Sequence, residues 1–301
     1  MTPEASAYLA SALEVMEKHS LVRADVDWPK VRRDAVARAG KARTPAETYA
    51  AIRQALRDLD DAHSTFFDPR EASEALNAPA DELMLPEGRR LAGGIGYLML
   101  PPVPSDGVAA PYVRSGRSAV GALDGQGVCG WIIDVRSNSG GDMWGPLAAV
   151  GPVLGDGTVG AAVYADGGKA PWTIEKGTPR QYLDEWGSAP PLARPMPPVA
   201  VLTSGRTASA AEAVTIAFRG RPHTRTFGQP TAGVPTANAP YRLSDGALVI
   251  LTVAREADRD GRVHNGAIAP DVNVPAGRGS NHLLKVATDW LRAQGGCREA
   301  P

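Results

Sequence analysis

Cysteine is close to absent: Cys129 and Cys297 are the only two among 301 residues. Two thiols exclude a disulfide framework of the kind that staples small secreted domains, and no Cys/His spacing suits a zinc site. The fold is therefore expected to rest on packing, with neither metal nor organic cofactor. Charge of one sign is lacking too. The 32 basic and 33 acidic residues leave a net charge of -1, which removes the electrostatic footprint of a nucleic-acid or anionic-membrane partner. Nowhere do about 18 apolar residues run together, so no membrane-spanning helix is expected. The opening MTPEASAYLASALEVMEKHS has no basic stretch leading into an uninterrupted apolar one. Without that export pattern the chain is expected in the cytoplasm, or outside it if an export segment was trimmed.

What is present falls into two parts, an N-terminal helical domain over residues 1–75 and an α/β core over 76–301. The first part shows helical apolar spacing in three segments, Ala5 to His19, Trp28 to Ala39 and Pro45 to Leu59. Thr44 is placed to cap the third, with Pro45 at its first turn. Asp68 to Arg90 has no clear period and reads as linker or surface excursion. GGIGYLML and GVCGWIIDVR then read as strands, the second dense enough to be buried on both faces. It leads through SNSGGDM into a helical Trp144 to Leu154, and PPVAVLTS repeats the scheme before a helix at Ser209. Two strand-turn-helix units of this kind favour an α/β fold. ALVILTVARE reads as a further strand, and NHLLKVATDWLRAQG as a final amphipathic helix ending at Gly295. Asp258 to Gly261, DRDG, reads as a polar hairpin turn, since it lacks the further ligands of a calcium loop.

The stretch TSGRTASAAEAVTIAF, Thr203 to Phe218, sets small and hydroxylated residues before a run of helical spacing. Ser209 followed by Glu212 is a capping box, in which each side chain satisfies a free backbone N–H. The same position suits a nucleophile, because the Ala210 N–H is unused at a helix mouth whose dipole favours negative charge. A nucleophilic serine also needs a base and a second oxyanion donor. Gly140 and Gly141 in RSNSGG allow a backbone to approach a substrate closely, although a plain strand-to-helix turn would read the same. Five histidines exist: His19, His63, His223, His264 and His282. His63 lies where a helix ends, beside Phe66 and Phe67, as either a helix C-cap or a base. His223, at the far end of the Ser209 helix, is expected to be remote from the hydroxyl. The one lysine after Ser209 is Lys285, in the terminal helix, which argues against a Ser-Lys pair.

Six segments, DAHSTFFDP, GGIGYLMLP, IIDVRSNSGG, VLTSGRTASAAEAV, FGQPTAG and GAIAPDVNV, follow the order and spacing of the C-terminal processing (tail-specific) serine peptidases. The chain resembles that family from Asp61 to Val274. The resemblance implies a helical front end and a crotonase/ClpP-like α/β protease core, with Ser209 as the nucleophile. Lysine-using relatives carry their lysine where this chain has Val234. They also insert a PDZ domain between the HS motif and the IGYL strand, where only Asp68 to Gly94 stand here.

The histidine-using branch remains, and its motif histidine corresponds to His63. Tricorn-type members add a serine before that histidine and a glutamate near the final PD, where this chain has Ala62 and His264. TASAAE is most similar to nisin-resistance-type peptidases, in which the serine, the glutamate three residues on and the upstream histidine act together. Residues three apart share a helix face, so Glu212 is expected to orient His63 and stabilise its imidazolium. The expectation is thus a serine endopeptidase that forms an acyl-enzyme on a peptide or unfolded polypeptide, near its C-terminal region. Its catalytic residues are Ser209, His63 and Glu212, and its oxyanion hole is Ala210 with Gly140 or Gly141. The alternative is a non-catalytic relative of the same fold that binds a peptide or an apolar ligand.

Overall fold

The computed structural model describes residues 1–76, 83–275, 280–294 and 297, and its chain divides into two compact units. The first comprises residues 1–76, 163–169 and 236–255. Its helices are α1 (Pro3–His19), α2 (Trp28–Ala39), α3 (Tyr49–Arg57) and α4 (Pro69–Leu76), with strands β1 (Thr65–Phe67), β10 (Thr236–Arg242) and the first part of β11 (Leu248–Asp258). Local chemistry starts the helices. Thr2 Oγ1 accepts from Ala5 N ahead of Pro3, and Asp27 Oδ1 accepts from Lys30 N ahead of α2, each worth about 1 kcal/mol. Leu9, Leu13 and Met16 from α1 join Val31, Ile52 and Leu56 and the strand residues Phe66, Val249 and Leu251 in one core. The hydroxyls of Tyr8 and Tyr49 both donate to Asp245, tying two helices to the turn before β11.

The third expected helix is not continuous. Pro45–Thr48 is a 3-10 turn, and Tyr49–Arg57 the α-helix proper. Thr44 makes no side-chain cap, whereas the Thr48 hydroxyl donates back to Pro45 O. A threonine at the junction, and not the one before the proline, thus closes the turn.

The second unit holds a six-stranded sheet in the order β13 (Val272–Asn273), β9 (Thr224–Gly228), β8 (Val199–Thr203), β4 (Gly130–Asp134), β3 (Ile95–Met99) and β2 (Glu87–Leu91). All pairs are parallel except β2 with β3. The central strands are apolar on both faces, as parallel strands covered on both sides must be. Trp131, Ile133, Val199 and Val201 point to one core with α5 (Ala109–Gly125), α6 (Trp144–Ala149), α7 (Gly151–Leu154) and α9 (Ala210–Phe218). Ile132, Ala200 and Leu202 point to the other, which α10 (Ser280–Ala293) closes with Leu283, Ala287 and Leu291. The α/β reading is correct. The expected end at Gly295 lies outside the described residues.

Other elements do not follow the sequence reading. α5 packs on α6 so closely that a Cβ at Gly116 would lie 2.5 Å from Ala149 Cβ, and small residues there blur its apolar period. β5 (Gly157–Tyr164), β6 (Lys169–Glu175), β7 (Thr178–Pro179) and α8 (Leu183–Trp186) fill a stretch left unassigned, and β12 (Val263–His264) pairs with the end of β11. The supposed linker from Asp68 contains α4 and β2. The expectation that packing alone holds the fold also needs correction. Cys129 and Cys297 form a disulfide across 168 residues, because α10 crosses the sheet and brings the C-terminal thiol beside the start of β4.

Candidate active site

Two strand-to-helix turns of the second unit are stitched together. From β8, Ser204 Oγ donates to Arg136 O at 2.7 Å and Thr207 Oγ1 to Val135 O at 3.0 Å, while Ala208 N donates to Asn138 O at 3.2 Å. These bonds set the turn after β8 against the turn after β4. At the end of the first stands Ser209, with φ 52° and ψ -118°. A non-glycine residue in that region costs about 1–3 kcal/mol unless the surroundings impose it. They do so here: Glu212 Oε2 accepts from Ser209 N at 2.9 Å, and α9 behind it is buried along its whole length.

Glu212 is fully buried and holds more than Ser209. Its carboxylate also accepts from the Thr231 hydroxyl, from Gly233 N at 3.0 Å and from Val234 N at 2.9 Å. Four donors fill the acceptor sites of one carboxylate, which is what allows an anion to sit in an interior. Val234 thus contributes a backbone N–H to this frame.

The second turn presents Gly140 (φ 110°) and Gly141 (φ 101°). A Cβ on Gly140 would stand 2.9 Å from Ser209 Cβ and 3.5 Å from its Oγ, so this glycine lies against the serine. A Cβ on Gly141 would meet Val103 O at 1.8 Å, a collision no rotamer relieves. The Gly140 amide is taken by Asn138 Oδ1 at 2.9 Å, and Asn138 Nδ2 is anchored on Leu100 O and Pro101 O. Among the described residues, the amides of Gly141 and Ala210 have no acceptor. The arrangement therefore sets an alcohol at the mouth of α9, beside Gly140.

His63 belongs to the first unit. It lies beyond the end of α3, whose C-cap is Asp58, so it is not itself the cap. Its Nδ1 meets Thr236 Oγ1 at 2.7 Å, its N–H donates to Asp61 Oδ1 at 3.0 Å, and its carbonyl accepts from Asn238 Nδ2 at 3.0 Å. The ring is thus fixed by a residue 173 positions later. His223 follows the far end of α9, and His264 Nε2 is bound to Asp258 Oδ2 at 3.1 Å. Asp258 also accepts from the amides of Asp260 and Arg262, which makes DRDG a closed hairpin turn. The sequence reading did not single out Asn138, Thr231 or Thr236. Asn138 was the most accessible of them, since an asparagine two residues before paired glycines commonly bonds its own turn. Among the described residues no group of three or more His, Cys, Asp or Glu could hold a metal ion, and no helix is long and apolar enough to cross a membrane.

Residues 94–274, which contain both turns and Glu212, match the description Peptidase family S41. The chain belongs to peptidase family S41. Similarity reaches beyond that span. The nisin-resistance protein of Lactococcus lactis subsp. lactis is 24% identical over 298 residues, covering 97% of this chain and 88% of that one. The carboxy-terminal processing protease CtpA of Bacillus subtilis (strain 168) is 28% identical over 158 residues, 52% of this chain and 31% of that one. Among solved structures, a lipoprotein from Streptococcus agalactiae superposes with TM-score 0.78 at 25% identity, covering 97% and 98% of the two chains. The photosystem II D1 C-terminal processing protease superposes with TM-score 0.68 at 18% identity, covering 91% and 94%, and shares the fold. A peptidase function follows from the family.

Proposed function

We propose that this S41 member is a serine endopeptidase that cleaves polypeptides through an acyl-enzyme on Ser209. The observation that carries the reading is the placement of Ser209: a left-handed residue opening a buried helix, its amide gripped by Glu212 and its side chain beside Gly140. In this reading His63 takes the hydroxyl proton as the oxygen attacks the scissile carbonyl, and the N–H groups of Ala210 and Gly141 stabilise the oxyanion. His63 then protonates the leaving amine, and water repeats the sequence to release the acid and restore Ser209. Gly140, whose amide Asn138 occupies, serves as the wall that lets the substrate come close. The role of His63 is supported by its motif and by the Thr236 bond that fixes its ring. Glu212 contributes by holding the Ser209 amide and the 231–234 loop.

Names of relatives that process carboxyl termini support cleavage near the C-terminal region of the substrate. The Cys129–Cys297 bond and the similarity to a streptococcal lipoprotein support work outside the cytoplasm, since disulfides persist in oxidising compartments. The test is covalent labelling by a fluorophosphonate. Wild type should label and Ser209→Ala should not; equal labelling of both removes the assignment. His63→Ala should abolish labelling with the thermal transition retained. Labelling that survives His63→Ala contradicts the base.

A further inference from the structure

Glu256 has no part in the steps above, yet it is 2% exposed and its Oε2 is buried without a hydrogen-bond partner among the described residues. Its backbone N–H donates to Pro235 O at 3.2 Å. Pro235 directly follows Val234, whose own N–H Glu212 holds. The loop at residues 231–235 is thus gripped at two places, by one glutamate's carboxylate and by the other's backbone. Across the ladder Glu256 is paired with His264, which is bound to Asp258 on the same face of β11. The titratable groups facing Glu256 are therefore Glu212 from α9 and, on its own hairpin, Asp258 and His264. The 231–235 loop brings none, and neither do residues 157–162 of β5, the neighbouring strand in the sheet.

As a carboxylate, Glu256 would set a second negative charge near Glu212, with one oxygen cut off from water and from any donor. As the acid it carries no charge. Burial chiefly, and the Glu212 charge in addition, hold the Glu256 carboxyl well above the usual carboxylate range. The contrast with Glu212 is chemical: four donors make one glutamate a stable anion, and their lack keeps the other protonated.

We propose that Glu256 is a positioning residue of the Ser209 site that works only as the uncharged acid. It fixes the Pro235 end of the loop gripped by Glu212. Loss of its proton sets two like charges against each other, loosens that loop and the Ser209 amide, and ends activity on the alkaline side. This inference rests on the peptidase reading for its activity readout, and on two further readouts that do not need it.

The first of these is a carbon-13 titration of side-chain carboxyls in the wild-type protein, assigned to Glu256 by comparison with Glu256→Gln. Glu256 should stay protonated well past 4.5, the ordinary value, and titration at that value overturns the proposal. The second is the difference in thermal midpoint between Glu256→Gln and wild type as a function of pH. A folded carboxyl that keeps its proton longer than the unfolded one loses stability as pH rises between the two pKa values. Glu256→Gln should therefore gain on wild type over that window; a difference independent of pH overturns the proposal. In the activity readout, wild-type fluorophosphonate labelling should fall about tenfold per pH unit beyond the Glu256 titration. Glu256→Gln should label like wild type at neutral pH and lack that alkaline fall. A shared alkaline limb overturns the positioning role. If the wild type does not label at any pH, the peptidase reading fails by itself, and the titration and thermal readouts still decide the state of Glu256. The titration needs no stable variant for its pKa, because only the peak assignment uses one.

Discussion

The turns at Gly140 and Ser209 are built alike and end differently. Each follows a buried parallel strand, β4 or β8, and each opens a helix, α6 or α9. At α6 the mouth is closed by its own sequence: Asp142 accepts from Trp144 N at 3.1 Å and from Gly145 N at 2.7 Å. At α9 the acidic residue sits one turn inside the helix and reaches back to the Ser209 amide, and among the described residues the Ala210 N–H has no acceptor. A carboxylate placed before a helix quenches its positive end, while one placed inside the first turn fixes the entering residue and leaves that end open to a developing anion. The turn at Ser209 and the turn at Gly140 are distinguished by where one acid stands.

Substitutions can break this comparison, and the largest effect belongs to Ser209→Ala. With the nucleophile gone, hydrolysis should fall by about 10⁶ while the thermal midpoint holds or rises, because alanine removes only a hydroxyl. Next comes Gly141→Ala, whose Cβ meets Val103 O at 1.8 Å. The turn must move, and a displaced oxyanion donor should cost about 10²–10³ in labelling rate; unchanged labelling would show that Gly141 is not one. Glu212→Ala leaves buried donors at Ser209, Thr231, Gly233 and Val234 without their acceptor. A loss of about 3–5 kcal/mol in denaturant unfolding is expected, in the range for breaking a buried charged network. Asp142→Ala should be mildest. It removes a cap worth about 1 kcal/mol from the Gly140 turn, so labelling should stay within about twofold of wild type. An Asp142→Ala variant as inactive as Ser209→Ala would erase the distinction between the two mouths.

Sequence reasoning reached what local pattern encodes. Trp28–Ala39 is a helix with the boundaries its spacing implies, and the dense Trp131–Val135 run falls on β4, Gly130–Asp134, buried on both faces, with Val135 just past its end. Ser209 stood out because a capping box and a family motif coincide there. What stayed hidden is long-range. No pattern near Glu212 says that its carboxylate serves a loop about twenty residues on, since Thr231, Gly233 and Val234 offer one hydroxyl and two anonymous amides. α5 escaped because Gly116 and its small neighbours trade apolar bulk for close helix approach. β5 escaped because its faces mix buried and exposed residues without clean alternation, and β7 because it is two residues long. Thr44 misled because a proline after a threonine is compatible with a 3-10 start as well as an α-helical one.

The bridge between Cys129 and Cys297 gives the molecule a mechanical topology. Load applied between the chain's two ends enters at residue 1, passes through His63 to Cys129, crosses the sulfur link and leaves at Cys297. The 168-residue span it closes, which carries Gly140, Ser209, Glu212 and Glu256, lies outside the covalent line of force. Traction between residue 1 and Cys297 would therefore reach that ring only through noncovalent contacts such as the pairing of β1 with β11, until a reductant opened it.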